Sequence, residues 1–451
     1  MTKLFKRLFT SFLFVLVALV ATAVLQANAN PLGRGGSGTV TAPAQAAITK
    51  FLQMPVGTTT PEARFTFDVV FRETLNGTAP TAFPATPVHL DIPANAPELS
   101  NEDRAALELS AAADVKIVEA TTPDLLAGVT WAGAGEFLFT VTERADTNVL
   151  PFLSDYTEEI IYDTSTTYTL FVRVVADSET GDLYVESTWA WRGSGPDFTD
   201  DESDVNTGKL DPDPNRPGGG NRSEVSFLNT FIRRTEDDIP EEIPGGESPG
   251  GTTPDDGGPG DPGIPSLDNA FIVSKRVGGQ LSSINSAFDF NVTVTNPTLA
   301  SDTIIRAWIY SNVAGTFVRG SEVLFTSGVA RSDIALNHGQ SLVFEPLAIG
   351  TIVEATEVNP APYTPTLHLT LGGVGIGNAS GTPAAGVGTN NIAEAPHRLG
   401  EGDNVADFIN INASIPITGL IMNNLPLILV STATVGFFAV VVARKKRRAY
   451  E

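Results

Sequence analysis

Residues 235–266 (TEDDIPEEIPGGESPGGTTPDDGGPGDPGIPS) are Pro, Gly and acid with almost nothing to bury. Proline and self-repelling carboxylates keep such a stretch extended, so it reads as a linker. It divides the chain into segments 43–234 and 267–414, each long enough for its own core. Both segments read as strands. Phe65, Phe67, Val69 and Phe71 alternate with residues facing the other way, as do Phe288, Phe290, Val292 and Val294. Turn signals recur at Asn76-Gly77, Gly278-Gly279 and Gly372-Gly373. A helical period stands out only over Asn101–Ala113, read as a surface insertion, and at the two ends of the chain. The pattern predicts two antiparallel β-sandwiches in tandem.

Composition excludes several kinds of chemistry. The 451 residues hold no Cys, which removes disulfide staples, thiolate zinc sites and Cys nucleophiles together. The four His (His89, His338, His368, His397) are not spaced as metal ligands, so neither a turnover enzyme nor a cofactor is expected. The acidic stretch Asp197–Asp213 lacks EF-hand spacing and reads as a solvated loop. A net charge of −24 argues against nucleic acid as a partner.

Residues 1–29 read as a signal peptide: Lys3, Lys6 and Arg7, an apolar run, then Ala27-Asn28-Ala29 as a cleavage site. The run's length also fits an uncleaved anchor. At the other end, Leu425–Ala443 is long enough to span a bilayer as a helix, and Arg444 to Arg448 form a basic stop.

Three polar residues recur in the same order in each segment. Lys50 lies in the opening strand AITKFLQ and Lys275 in FIVSKRV. Glu143 ends FLFTVTE and Glu357 ends GTIVEATE, while Asn229 sits in VSFLNTF and Asn410 in ADFININ. Residues two apart on a strand share a face. Parity therefore aligns each of the six with apolar neighbours bound for a core: Ile48, Lys50 and Leu52, or Val353, Ala355 and Glu357. Glu354, an alternative acid, falls on the opposite face. Burying such groups is costly unless they meet one another. If they meet, a desolvated Lys is a neutral nucleophile and a buried Glu a proton carrier. Attack on the Asn amide carbon then expels ammonia and leaves a Lys–Asn isopeptide bond. Arg cannot substitute, because it stays protonated.

The blocks GEFLFTVTER, IIYDTSTTYTLFVRV and FLNTF resemble the isopeptide-linkage domain of streptococcal T-antigen-type major pilins. The second segment, from FIVSKRV through LNHGQSLVFEPLAIGTIVEATE to NVADFININ, is similar to the companion domain. The resemblance implies immunoglobulin-like, CnaB-type sandwiches, Lys50–Asn229 and Lys275–Asn410 crosslinks, and Glu143 and Glu357 as promoters. FININ lacks the aromatic residue that usually follows the Asn. The end of the chain, 415–451, resembles a sortase sorting signal: Ile415-Pro416-Ile417-Thr418-Gly419, apolar span, basic tail. Ile415 stands where Leu is usual. That likeness implies cleavage between Thr418 and Gly419 and transfer of Thr418 to an amine. The partners implied are a sortase, further pilin subunits and peptidoglycan at a Gram-positive surface, with a host or matrix ligand left open. A monomeric wall-anchored adhesin is the alternative. Lys209, in the polar stretch NTGKLDPDPNRPGGG, is the candidate acceptor lysine and is expected to be exposed; Lys116, in VKIVEA, is the other candidate.

Overall fold

The computed structural model describes residues 36–84, 86–145, 156–196, 208–215, 220–235, 239–248, 260–392, 395–412, 440 and 444–445. The expected signal peptide and the pentapeptide Ile415–Gly419 lie outside the described residues, as does the apolar span apart from residue 440. Among the described residues no helix is long and apolar enough to cross a membrane. The chain divides into two compact units, Met1–Arg233 with Pro297–Ala300, and Arg234–Asn296 with Ser301–Glu451.

In the first unit the strands, in chain order, are β1 (Gly36–Ser37), β2 (Thr49–Pro55), β3 (Ala63–Asn76), β4 (Val88–Ile92), β5 (Val115–Thr121), β6 (Gly135–Glu143), β7 (Thr157–Ile161), β8 (Thr167–Ala176), β9 (Leu183–Arg192) and β10 (Ser226–Arg234). They form a six-stranded sheet, β1-β9-β8-β6-β3-β4, and a four-stranded sheet, β5-β2-β10-β7. Alternation supplies the core: Phe65, Phe67 and Val69 of β3 and Phe137, Phe139 and Val141 of β6 meet Ile48, Leu52, Phe227 and Phe231. The sandwich reading holds, but one pairing differs from the antiparallel expectation. The first core strand β2 and the last strand β10 lie side by side in parallel, Lys50 opposite Phe227.

The predicted helix is shorter than its period suggests. It spans Asn101–Ala106 as α1, with the Ser100 hydroxyl accepting the Asp103 N–H at 3.1 Å. Glu108 then takes a positive φ of 55° and ends it. Beyond it the buried Arg104 guanidinium donates to the carbonyls of Ser110, Ala112 and Val115, replacing a helical ladder with side-chain bonds.

The second unit continues with β11 (Glu242–Gly246), β12 (Ile264–Pro265), β13 (Phe271–Gly278), β14 (Phe288–Thr295), β15 (Ile304–Val313), β16 (Thr316–Thr326), β17 (Arg331–Leu336), β18 (Gln340–Phe344), β19 (Ile352–Val358), β20 (Thr364–Leu371), β21 (Val374–Ser380), β22 (Val387–Gly388) and β23 (Asn404–Ile411). One sheet runs β12-β11-β16-β15-β18-β13-β23-β20-β21 and the other β17-β14-β19-β22. Again the opening core strand β13 and the closing strand β23 are parallel neighbours, Lys275 opposite Phe408.

The linker reading of 235–266 is corrected over its described parts. Strand β11 pairs antiparallel with β16, and β12 pairs with β11. Ile239, Ile243 and Ile264 are buried with Ile272, Tyr310, Phe317 and Val405, in a cluster separate from the core between the sheets. Three isoleucines suffice to seat this strap, and β12, at the edge of the sheet, accommodates Pro265. Arg276, 1% exposed, fastens it: the guanidinium pairs with Asp407 and, at 2.9 Å, with Asp261, while Ser248 donates to Asp407 at 2.7 Å.

Candidate functional site

The register of each parallel pair places the asparagine. Lys50 faces Phe227, so Asn229, two residues on, returns to the same face of the sheet. Lys275 faces Phe408, and Asn410 follows by the same step. The glutamate arrives from the opposite sheet. On β6, Glu143 stands opposite Phe67 of β3; on β19, Glu357 stands opposite Phe290 of β14. In both units the carboxylate crosses the core to reach the Lys and Asn.

All six residues are buried, and the structure brings each set of three together. The Lys50 Nζ donates to Glu143 Oε2 at 2.8 Å, and Asn229 Nδ2 donates to Glu143 Oε1 at 2.7 Å. In the second unit Asn410 Nδ2 donates to Glu357 Oε1 at 2.8 Å. The Lys275 Nζ lies 2.9 Å from Glu357 Oε1, within ion-pair distance but off the direction of a hydrogen bond. Glu354 is exposed, as parity requires.

Burial sets the electrostatics. Desolvation pushes Lys50 down to about 8 against the attraction of Glu143, and Lys275 down to about 8 against that of Glu357. Desolvation also raises the Glu143 carboxyl, against the pull of Lys50. In the first pair both shifts therefore oppose charge separation, and in both pairs burial favours the neutral amine. A desolvated amine, a carboxyl and a carboxamide in contact are the reactants and proton carrier of an amide exchange.

Two further features escape a reading based on polar residues. Each amine sits over a phenylalanine ring, Lys50 over Phe65 at 4.8 Å and Lys275 over Phe288 at 4.4 Å. The residues paired with the Lys and Glu also touch, Phe67 with Phe227 at 5.3 Å and Phe290 with Phe408 at 5.0 Å. The repeated Phe-x-Phe of β3 and β14 was the available signal. The second feature is confined to the first unit. There the Asp163 N–H donates to Asn229 Oδ1 at 2.9 Å, whereas Asn410 Oδ1 has no hydrogen-bond partner among the described residues.

Lys209 departs from expectation. It is 4% exposed, not free in solvent. A bridge between Ala190 and Leu210 lays its segment along β9, and its Nζ rests 4.5 Å from the Trp189 ring and 5.9 Å from that of Trp191. The tryptophans belong to an aromatic cluster with Phe171 and Leu138 that is separate from the core. The polar composition around Lys209 gave no sign of a platform built by another strand. Lys116 donates to the Thr58 carbonyl at 2.6 Å and to Thr60 Oγ1 at 3.1 Å.

No protein-family model matches the chain, and no curated protein does. Among solved structures it is similar to the major pilin from Streptococcus pyogenes, at 16% identity over 82% of this chain and 99% of that one, with a TM-score of 0.31. A major pilin protein (T3.2) of the same organism gives 16% identity over 82% and 98%, with a TM-score of 0.27. A pilus-presented adhesin gives 8% identity over 82% and 99%, with a TM-score of 0.23. At such values the likeness assigns no residue a role.

Proposed function

We propose that this chain is a surface structural protein of a Gram-positive bacterium, a pilus backbone subunit whose two domains each weld their first core strand to their last. The observation that carries the reading is the double occurrence of one buried constellation, with Lys, Glu and Asn on equivalent strands in the same register. In the proposed reaction the neutral Lys50 amine attacks the Asn229 amide carbon. Glu143 takes a proton from the nitrogen and delivers it to the departing Nδ2, which leaves as ammonia. Lys275, Glu357 and Asn410 act likewise. Each domain reacts once, without turnover.

The parallel pairing gives the bond a mechanical meaning. Force entering before β2 and leaving after β10 loads these neighbours in shear. A Lys50–Asn229 bond carries that force past the intervening 178 residues, and a Lys275–Asn410 bond bypasses 134. Anchoring and polymerisation rest on the sequence of 415–451: a sortase would cleave after Thr418 and join it to a lysine of the next subunit or to peptidoglycan.

Intact-mass measurement of the full exported chain tests the chemistry. A deficit of two ammonia molecules is expected, and the full calculated mass would refute the reading. Wall extracts test assembly: an SDS-resistant ladder is expected, reduced to a single band by Lys209→Arg.

The surroundings of the lysines favour a second reading. Residues 30–418 hold only four, of which two are consumed in the triads, Lys209 is packed on tryptophan and Lys116 is hydrogen-bonded. An acceptor this restrained suits a monomeric wall-anchored adhesin. A crosslinked monomer without a ladder, together with ligand binding by the first domain, would favour that alternative.

A further inference from the structure

The two constellations match in their three reacting residues and in their phenylalanines, yet differ at the carboxamide oxygen. In the first domain the Asp163 N–H meets Asn229 Oδ1 at 2.9 Å. A backbone N–H can only donate, so it fixes which end of the amide is oxygen and turns Nδ2 toward Glu143. The donor is itself braced. Asp163 Oδ1 accepts from the Ser165 hydroxyl at 3.1 Å and the Thr166 N–H at 3.2 Å, a side-chain-closed turn just before β8. In the second domain Asn410 Oδ1 has no such donor among the described residues.

We propose that Asp163 is a positioning residue for crosslinking in the first domain, its braced turn aiming a main-chain N–H at the oxygen where charge develops. The inference rests on the crosslinking reading above. When the Lys50 nitrogen bonds to Asn229 Cγ, the carbonyl π pair moves onto Oδ1. That oxyanion is the species the Asp163 N–H stabilises. Collapse restores the carbonyl and breaks the Cγ–Nδ2 bond, and ammonia leaves with the proton that Glu143 relays from the attacking nitrogen. A donor already aimed at the oxyanion needs no reorganisation, and losing one costs about a hundredfold or more in rate in comparable sites. Losing only the brace leaves the N–H in place but less well aimed, so a slowing of about tenfold is expected.

The test is cell-free synthesis of the full chain, arrested and sampled over time. The Lys50–Asn229 and Lys275–Asn410 linked peptides are quantified in the same digest, so the second domain serves as an internal clock. Asp163→Ala should slow the first bond about tenfold and leave the second unchanged. Asp163→Asn keeps an acceptor for Ser165 and Thr166 and should react at no less than the original rate, since the carboxylate it removes favours the Lys50 ammonium. Ser165→Ala, at an exposed hydroxyl, should slow the first bond by a smaller factor, and it carries the test if Asp163→Ala does not fold. An unchanged first-domain rate in Asp163→Ala, or in Ser165→Ala where that variant carries the test, overturns the proposal. So does an Asp163→Asn rate as slow as that of Asp163→Ala, which would assign the effect to charge. If the unaltered chain forms neither linked peptide, the crosslinking reading itself falls and this inference with it.

Discussion

In the first domain the asparagine amide is held at both ends, its nitrogen by Glu143 and its oxygen by the Asp163 N–H. In the second it is held at one, by Glu357 alone. The lysines differ in the same sense, since Lys50 makes a directed hydrogen bond to its glutamate while Lys275 sits only at ion-pair distance. Strand register and parity are nevertheless identical. Repetition of the sheet thus carries three side chains to the same relative places, whereas loops outside the repeat decide how tightly they are set. The second domain invests its extra order elsewhere, in the strap clasped by Arg276 and Asp407.

The largest test of this equivalence is Glu143→Ala against Glu357→Ala. Each should restore one ammonia to the intact mass and leave the other domain's bond formed. Loop closure enters stability only as a logarithm, so sequence separations of 179 and 135 residues should cost nearly the same, about 5 kcal/mol each on the chain-entropy treatment of crosslinks. Calorimetry showing one domain much less affected would break the equivalence.

Arg276→Ala sharpens the asymmetry. It leaves Asp407 buried beside two serines with its cation gone, which should destabilise the second domain by about 3–5 kcal/mol without moving the first transition. Urea unfolding followed domain by domain checks this.

The pH profile should be shared. Burial lowers both lysines to about 8, so below that pH each is mostly protonated and unreactive. Crosslinking in arrested translations should rise about tenfold per pH unit up to roughly 8 and level off above it. A flat profile in either domain would exclude the neutral amine as nucleophile there. The smallest effect concerns the rings under the amines. Phe65→Leu and Phe288→Leu each remove a contact worth about 1 kcal/mol to the ammonium and should move the profile's midpoint down by less than a unit. The shift should be the greater for Phe288, whose ring is nearer.

Much of this site is legible in the order of residues alone. Alternation along β6 or β19 decides that Glu143 and Glu357 face a core, and it excludes Glu354, because parity is a local property of extended chain. The order Lys, Glu, Asn, repeated twice, pointed to strands that must meet. What lay beyond reach depended on partners distant in sequence. Nothing local tells that β2 and β10 run parallel, or that the Asp163 N–H reaches Asn229. Lys209 looked solvated because its own neighbours are polar, and is covered because Trp189 and Trp191 come from another strand. The strap looked like a linker because three isoleucines are few, and it is ordered because the sheet offers Phe317 and Tyr310 to receive them. Which face each strand residue takes is already written in the order of residues, since it follows from a two-residue period. Which faces meet, and in what register, is settled by packing between segments far apart along the chain, 53 residues for Asn410 and Glu357 and 93 for Lys50 and Glu143, which no local period encodes.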